Sequence, residues 1–454
     1  MAIGSHPAWL LAQEARALLM RLAHVKPFAL VEPMLPAANL LPAAQSVIEG
    51  HLTSGRQELR VLVRDFQAWL QGPLAVAATA AEAQRRFAYL RLKFNAVLTQ
   101  FDLFSDVVTQ RSENESGVWL SGLDVVSADA LQLPGGYYTA PPIVCYLDRG
   151  PGAAIRRART RLPGGGENPV AVIRVPRERM VGSGIASSLV HEVGHQAAAL
   201  LDLVASLRPV LRGLQQGAGE NAVAWQLFDR WISEIIADFW AVARIGIAAP
   251  LGLMAVVSLP RAFVFRLNVD DPHPVPWLRV KLSCAMGEAL FPHPQWQQLA
   301  ATWEAFYPPR GLDAETARAL ERLQAVVPAF VSVLVEHRPA ALRGKTLAQA
   351  LLVSERQPAR LQALYRQWCS APPRMYQAPP SLVFAVIGQA RSDGLLNPED
   401  EAAVLGKLLT HWALVSTLDT SLACAAATHT TPRPIRPRPG LVQIERRLTL
   451  TQGA

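Results

Sequence analysis

From Ala8 to about Gln110, apolar residues recur at the three-to-four spacing of helices that bury one face. Leu59, Leu62, Val63, Phe66 and Leu70 form one such stripe, and Phe87, Leu90, Leu92 and Phe94, onward to Phe104, form the next. The texture changes at 112–117, a stretch of Ser, Glu, Asn and Gly. The apolar runs after it are short and broken by Pro and Gly. Val118–Leu120, Pro142–Leu147 and Val170–Val175 read as strands, and Pro163-Gly164-Gly165-Gly166 as a turn before the last of them. With no Gly-Lys-Ser/Thr behind it, that turn is not a phosphate loop. Pro176 closes the run Val170–Val175 and predicts an edge strand. Helical spacing resumes at Ser183, runs with interruptions to about Trp303, and covers Leu312 to about Leu418. Asn397 followed by Pro398, Glu399, Asp400 and Glu401 marks a helix start.

This pattern predicts an α+β chain that is predominantly α-helical. Residues 1–115 form an N-terminal helical region, 116–305 a mixed core, 306–428 a C-terminal helical region, and 429–454 a tail. The tail segment Thr431–Pro439 alternates Pro and Arg and is expected to be extended, as a linker to a short last strand. No internal repeat is visible. The apolar run Ile245–Leu259 is too short to span a bilayer and contains Pro250, so it predicts a buried helix.

Composition narrows the class. Half of the 454 residues are hydrophobic and 18% are charged, which excludes a disordered chain. The four cysteines, Cys145, Cys284, Cys369 and Cys424, contain no C-x-x-C pair, which excludes zinc ribbons, iron–sulfur clusters and thioredoxin-type motifs and suits a reducing compartment. The formal charge of +8 is almost entirely arginine and is spread along the chain. Its two concentrations, Arg156–Arg161 and Arg433–Arg447, lack interleaved aromatics, so a nucleic-acid partner is not expected. The first residues lack the basic and apolar regions of an export signal, and a cytoplasmic protein is expected.

One motif carries chemistry: His191-Glu192-Val193-Gly194-His195. On a helix, residues four apart share a face, so both imidazoles reach one metal ion while Glu192 is left to contact a water. Downstream, Glu234 and Asp238 lie four apart in the apolar stretch Trp231–Trp240. Carboxylates on a buried helix face are costly unless paired or bound to a cation. Glu234 as third metal ligand and Asp238 as acceptor for a ligand imidazole N–H satisfy both.

H-E-x-x-H followed by E-x-x-A-D on a second helix resembles the gluzincin zinc metallopeptidases. The segment Asp271–Val280 resembles the T-H-P-P-x-x-x-R-I segment of the CAAX prenyl endopeptidases and their bacterial heat-shock relatives, with Pro272 in place of Thr and Val275 in place of the second Pro. The resemblance covers about Val170 to Met286, without the membrane spans of that family. It implies a zincin-like core with a small β-sheet, flanked by helical domains, and one Zn2+ per chain held by His191, His195 and Glu234. It also implies Glu192 as proton acceptor, His273 as partner of the developing negative oxygen, and Arg279 holding His273 or the substrate backbone. His293, in a second His-Pro pair, has no matching Arg. The implied function is a soluble zinc-dependent endopeptidase acting on a protein or peptide. The run Val170–Val175 would border its cleft, and the Arg156–Arg161 loop could favour acidic substrates. The long helical flanks support an alternative, a scaffold with a structural or vestigial zinc that meets a partner protein through those flanks. A zinc hydrolase of non-peptide substrates would keep the same site.

Overall fold

The computed structural model describes residues 4–150, 152–177, 182–268 and 270–428; the predicted Pro/Arg tail lies outside the described residues. The N-terminal stripes form helices α1 (Ser5–His24), α2 (Pro42–Gln71) and α3 (Ala80–Thr109), the last started by Thr79, whose hydroxyl accepts from Glu82 N at 3.2 Å. Their buried faces, with Ile48, Leu59 and Val63 on α2 and Phe87, Phe94 and Phe104 on α3, make one apolar core.

The run Val118–Leu120 is not a strand. It belongs to α4 (Asn114–Leu131). Its β-branched residues sit inside a helix because Leu120, Leu123 and Val126 pack into a second, larger core, so tertiary burial overrides local propensity. The other two predicted strands exist as β1 (Ile143–Asp148) and β3 (Ala171–Pro176), joined by a short β2 (Ala154–Arg156). The order is β1-β3-β2, with β1 parallel and β2 antiparallel to β3. β3 is therefore the central strand, and β2 takes the edge expected of it. Pro176, at the last position of β3, sits where a missing N–H costs least. The sheet separates the two cores: Val144 and Val172 face the N-terminal helices, while Cys145, Leu147, Ile173 and Val175 face the larger one. Burial on both faces explains why these strands read as continuous apolar runs.

The larger core is built on α5 (Gly184–Leu200), α6 (Leu203–Gly217), α7 (Ala222–Ile245), α8 (Ala248–Val257), α9 (Pro276–Leu290) and α10 (Gln295–Phe306). It continues without a break into α11 (Ala314–Glu336), α12 (Pro358–Ser370), α13 (Pro380–Ser392) and α14 (Pro398–Thr428). The apolar run at 245–259 is mostly α8, ten residues long with Pro250 in its first turn. Among the described residues no single helix is long and apolar enough to cross a membrane.

Two long-range polar contacts lock the ends of the helices around the motif. The start of α5 has no side-chain cap of its own; Ser183 N donates instead to Glu401 Oε1 of α14 at 3.1 Å. Glu401 is fully buried and paired with Arg391. At the end of α7, the buried Arg244 donates to the carbonyls of Asp129 (3.0 Å), Ala130 (2.9 Å) and Gln132, closing the C-terminus of α4. The predicted start of α14 is also present, with Asn397 Oδ1 accepting from Asp400 N at 2.8 Å.

Candidate metal centre

Helices α5 and α7 lie against each other at unusually short range. A Cβ on Gly194 would stand 2.8 Å from Ala237 Cα and 3.0 Å from Ala237 O, so only glycine fits there. The close approach brings the His191 and His195 rings, one turn apart with centroids at 4.8 Å, onto the Glu234 carboxylate. His191 Nε2 lies 3.2 Å from Glu234 Oε2, and His195 Nε2 lies 3.4 Å from Glu234 Oε1. The three candidate ligand atoms fall within 4.8 Å of one another.

The far side of each ring is fixed. His191 Nδ1 lies 2.8 Å from Asp238 Oδ1, and Asp238 is itself gripped by Arg279 of α9, Nε to Oδ2 at 2.6 Å and Nη2 to Oδ1 at 2.9 Å. Among the described residues Arg279 makes no hydrogen bond to His273, the first of the two roles the family resemblance implied; it forks onto the carboxylate behind His191. The fork needs a planar two-donor head, which is why an arginine is found there. Behind His195, Ser233 Oγ lies 3.3 Å from Nδ1.

His273 stands at the mouth, 49% exposed, with Nε2 3.3 Å from Glu234 Oε2. Its backbone N donates to Asp271 Oδ1 at 2.9 Å, and its Nδ1 meets the same oxygen at 2.7 Å. Asp271 thus orients the ring, and its own carboxyl is held below the usual range because the hydrogen bonds from His273 outweigh its partial burial. Glu192 is 7% exposed and takes no hydrogen bond from the described residues; burial pushes its carboxyl up, against the opposing pull of the two imidazoles.

The electrostatics favour a cation at the centre. Burial disfavours charge on His191, yet Asp238 and Glu234 outweigh it and push the ring up to about 9. Asp238 is held down at about 2 because Arg279, then His191, overcome the cost of its burial. Glu234 is held far below the carboxylate range by the two facing imidazoles in spite of its burial. An ionised Asp238 only accepts, so the proton of a neutral His191 sits on Nδ1 and its Nε2 lone pair points at Glu234. Two nitrogens and a buried carboxylate oxygen, Glu234 Oε2, that lacks a hydrogen-bond donor then converge. This donor set fits a zinc ion with an open position.

A cavity of about 130 Å3 opens beside the centre, lined by His191, Glu192 and His273 and by the apolar Ala241, Val242, Leu253 and Val256. Gly152 and Ala153, which lead into β2, complete it. The Arg156–Arg161 loop is tied to α5 through Ala158 N, which donates to the buried Gln196 at 2.9 Å. Its arginines, however, surround a separate cavity of about 530 Å3 against α3.

Sequence reasoning brought together His191, Glu192, His195, Glu234, Asp238, His273 and Arg279, and the fold does place all seven around one point. It missed Ser233 and Asp271. Asp271 had a local signal, an acid two residues before a histidine, as in other turns where Asp bonds the backbone two residues on. Ser233 had none beyond its place beside Glu234. No protein-family model, curated protein or solved structure matched the chain, so the functional reading rests on the geometry of this centre.

Proposed function

We propose that the chain is a soluble, cytoplasmic zinc-dependent endopeptidase with His191, His195 and Glu234 as the metal-holding residues. The observation that carries this reading is Glu192. Its carboxylate belongs to a largely buried residue, makes no hydrogen bond with the described residues and lines the cavity beside the candidate ligands, where a reacting group has use for it and a purely structural centre does not. At the cavity wall, with its pKa raised by burial, it is suited to accept a proton from water and pass it to a leaving amine. The chemistry that a zinc ion supplies in such a donor set is polarisation of a carbonyl oxygen and acidification of a water molecule.

The remaining roles belong to the chain itself. Asp238 and Ser233 orient the two imidazoles, and Arg279 fixes Asp238. In its charged form His273 donates from Nε2 to the oxygen that gains negative charge, while Asp271 holds Nδ1. The open edge of β2 begins at the cavity wall, so an extended peptide added there by main-chain pairing would run past Glu192. A cavity of about 130 Å3 with Ala241, Val242, Leu253 and Val256 in its lining favours a small side chain next to the scissile bond.

Glu192→Gln tests the reading. It should leave metal content unchanged and lower peptidase activity by about 100-fold or more. Labelling of new protein termini in cells expressing the parent or the variant supplies both substrate and readout. Termini that appear equally with both would overturn the mechanism.

A further inference from the structure

Toward the N-terminal end of α7 a second cavity, of about 650 Å3, lies between α6, α7 and α11. Leu227 in its wall precedes Glu234 by seven residues, about 10 Å along the helix, so the cavity neighbours the metal centre without sharing its residues. Its volume falls within the range of small-molecule pockets, about 300–1,000 Å3. Its apolar lining includes Leu227, Leu267 and Leu323, with the exposed Val223 at the mouth.

Its rim is cationic. Five arginines line it, Arg208, Arg212, Arg230, Arg318 and Arg322, against two carboxylates, Asp229 and Glu315. Arg208 and Arg212 share Asp229 at 3.5 and 3.4 Å. Arg230 and Arg322 have only Asp270 at 3.6 Å and Glu220 at 3.8 Å, partners so exposed that the pairs contribute little. Arg318 has no hydrogen-bond or ion-pair partner among the described residues. An apolar lining beside an excess of five guanidinium groups over two carboxylates suits an apolar body with an anionic head that guanidinium groups can fork onto.

We propose that this cavity binds a single-chain amphiphile with an anionic head, of the medium-chain carboxylate class. The head sits on Arg318 and Arg322 and the chain lies over Leu227, Leu267 and Leu323. The assignment is independent of the peptidase reading, because its residues and its readout are separate from the metal centre.

Calorimetric titration of the full chain with decanoate below its micellar concentration tests it, alongside decanol and decyltrimethylammonium. Saturable one-to-one binding of decanoate is expected, with octanoate weaker by up to about 4-fold per methylene removed. The Arg318→Glu/Arg322→Glu double variant, altered only at exposed residues, should bind decanoate at least about 10-fold more weakly. Val223→Glu, which puts a carboxylate at the mouth, should do the same. His191→Ala/His195→Ala should bind as the parent does. Equal affinity for decyltrimethylammonium, or undiminished affinity in both the double variant and Val223→Glu, would overturn the proposal. So would sedimentation with phosphatidylglycerol vesicles without binding of free decanoate, which would mark a membrane-contact patch.

Discussion

Asp238 serves two partners through one carboxylate: it orients the His191 imidazole and absorbs the Arg279 fork. Asp238→Asn should therefore weaken metal binding about 10–100-fold, read by competition with a chromogenic chelator. It should also destabilise the fold by up to about 3–5 kcal/mol in denaturant titrations, because the buried Arg279 loses its carboxylate fork and keeps only Glu234 Oε2, at 3.9 Å, as an ion-pair partner. Arg279→Lys, a single-point donor, should fall between the parent and Asp238→Asn in metal affinity. At this scale the sequence was most readable where the pattern is local. His191 with His195, and Glu234 with Asp238, are one-turn pairs that any helix aligns. The partner of Arg279 lies 41 residues back and that of Ser233 38 residues back, distances over which spacing carries no information.

Among elements, the decisive contact is that of α5 with α7 at Gly194. Gly194→Ala places a methyl group 2.8 Å from Ala237 Cα, where only backbone can yield. The helices should part by a few tenths of an ångström, and overpacking of this kind costs about 1–3 kcal/mol. We expect a lower Tm together with weaker metal binding, since the same displacement separates the imidazoles from Glu234. By contrast, Phe94→Ala in the N-terminal core should cost about 3–5 kcal/mol and leave metal affinity unaltered, as no contact links it to the centre. The helices were legible from their stripes, with Leu62 and Leu92 left on the outer rims. α4 was not. Val118 is β-branched and Trp119 aromatic, both strand-favouring, and packing of the helix against α14, where a Cβ on Gly122 would lie 2.5 Å from Leu409 O, overrides them. β2 was not legible because three residues are too few to establish an alternation, and without it β3 falls at the edge.

For the whole molecule, the candidate ligands are braced by groups outside the ligand set. Asp238, Arg279, Ser233 and the Gly194 contact hold the ligands in place from behind. Chelation should therefore lower Tm, by the equivalent of about 4 kcal/mol relative to a 1,000-fold excess of metal over Kd, and leave the far-ultraviolet circular dichroism helical. Complete unfolding on chelation would instead favour the scaffold reading. The cap on α5 carries a further meaning for the life of the chain. Glu401 stands 218 residues beyond Ser183, so the helix bearing both histidines lacks this cap until the chain has been extended far past it. On the function proposed above, the helix that carries both histidines is completed only once α14 has been made and has folded back onto it.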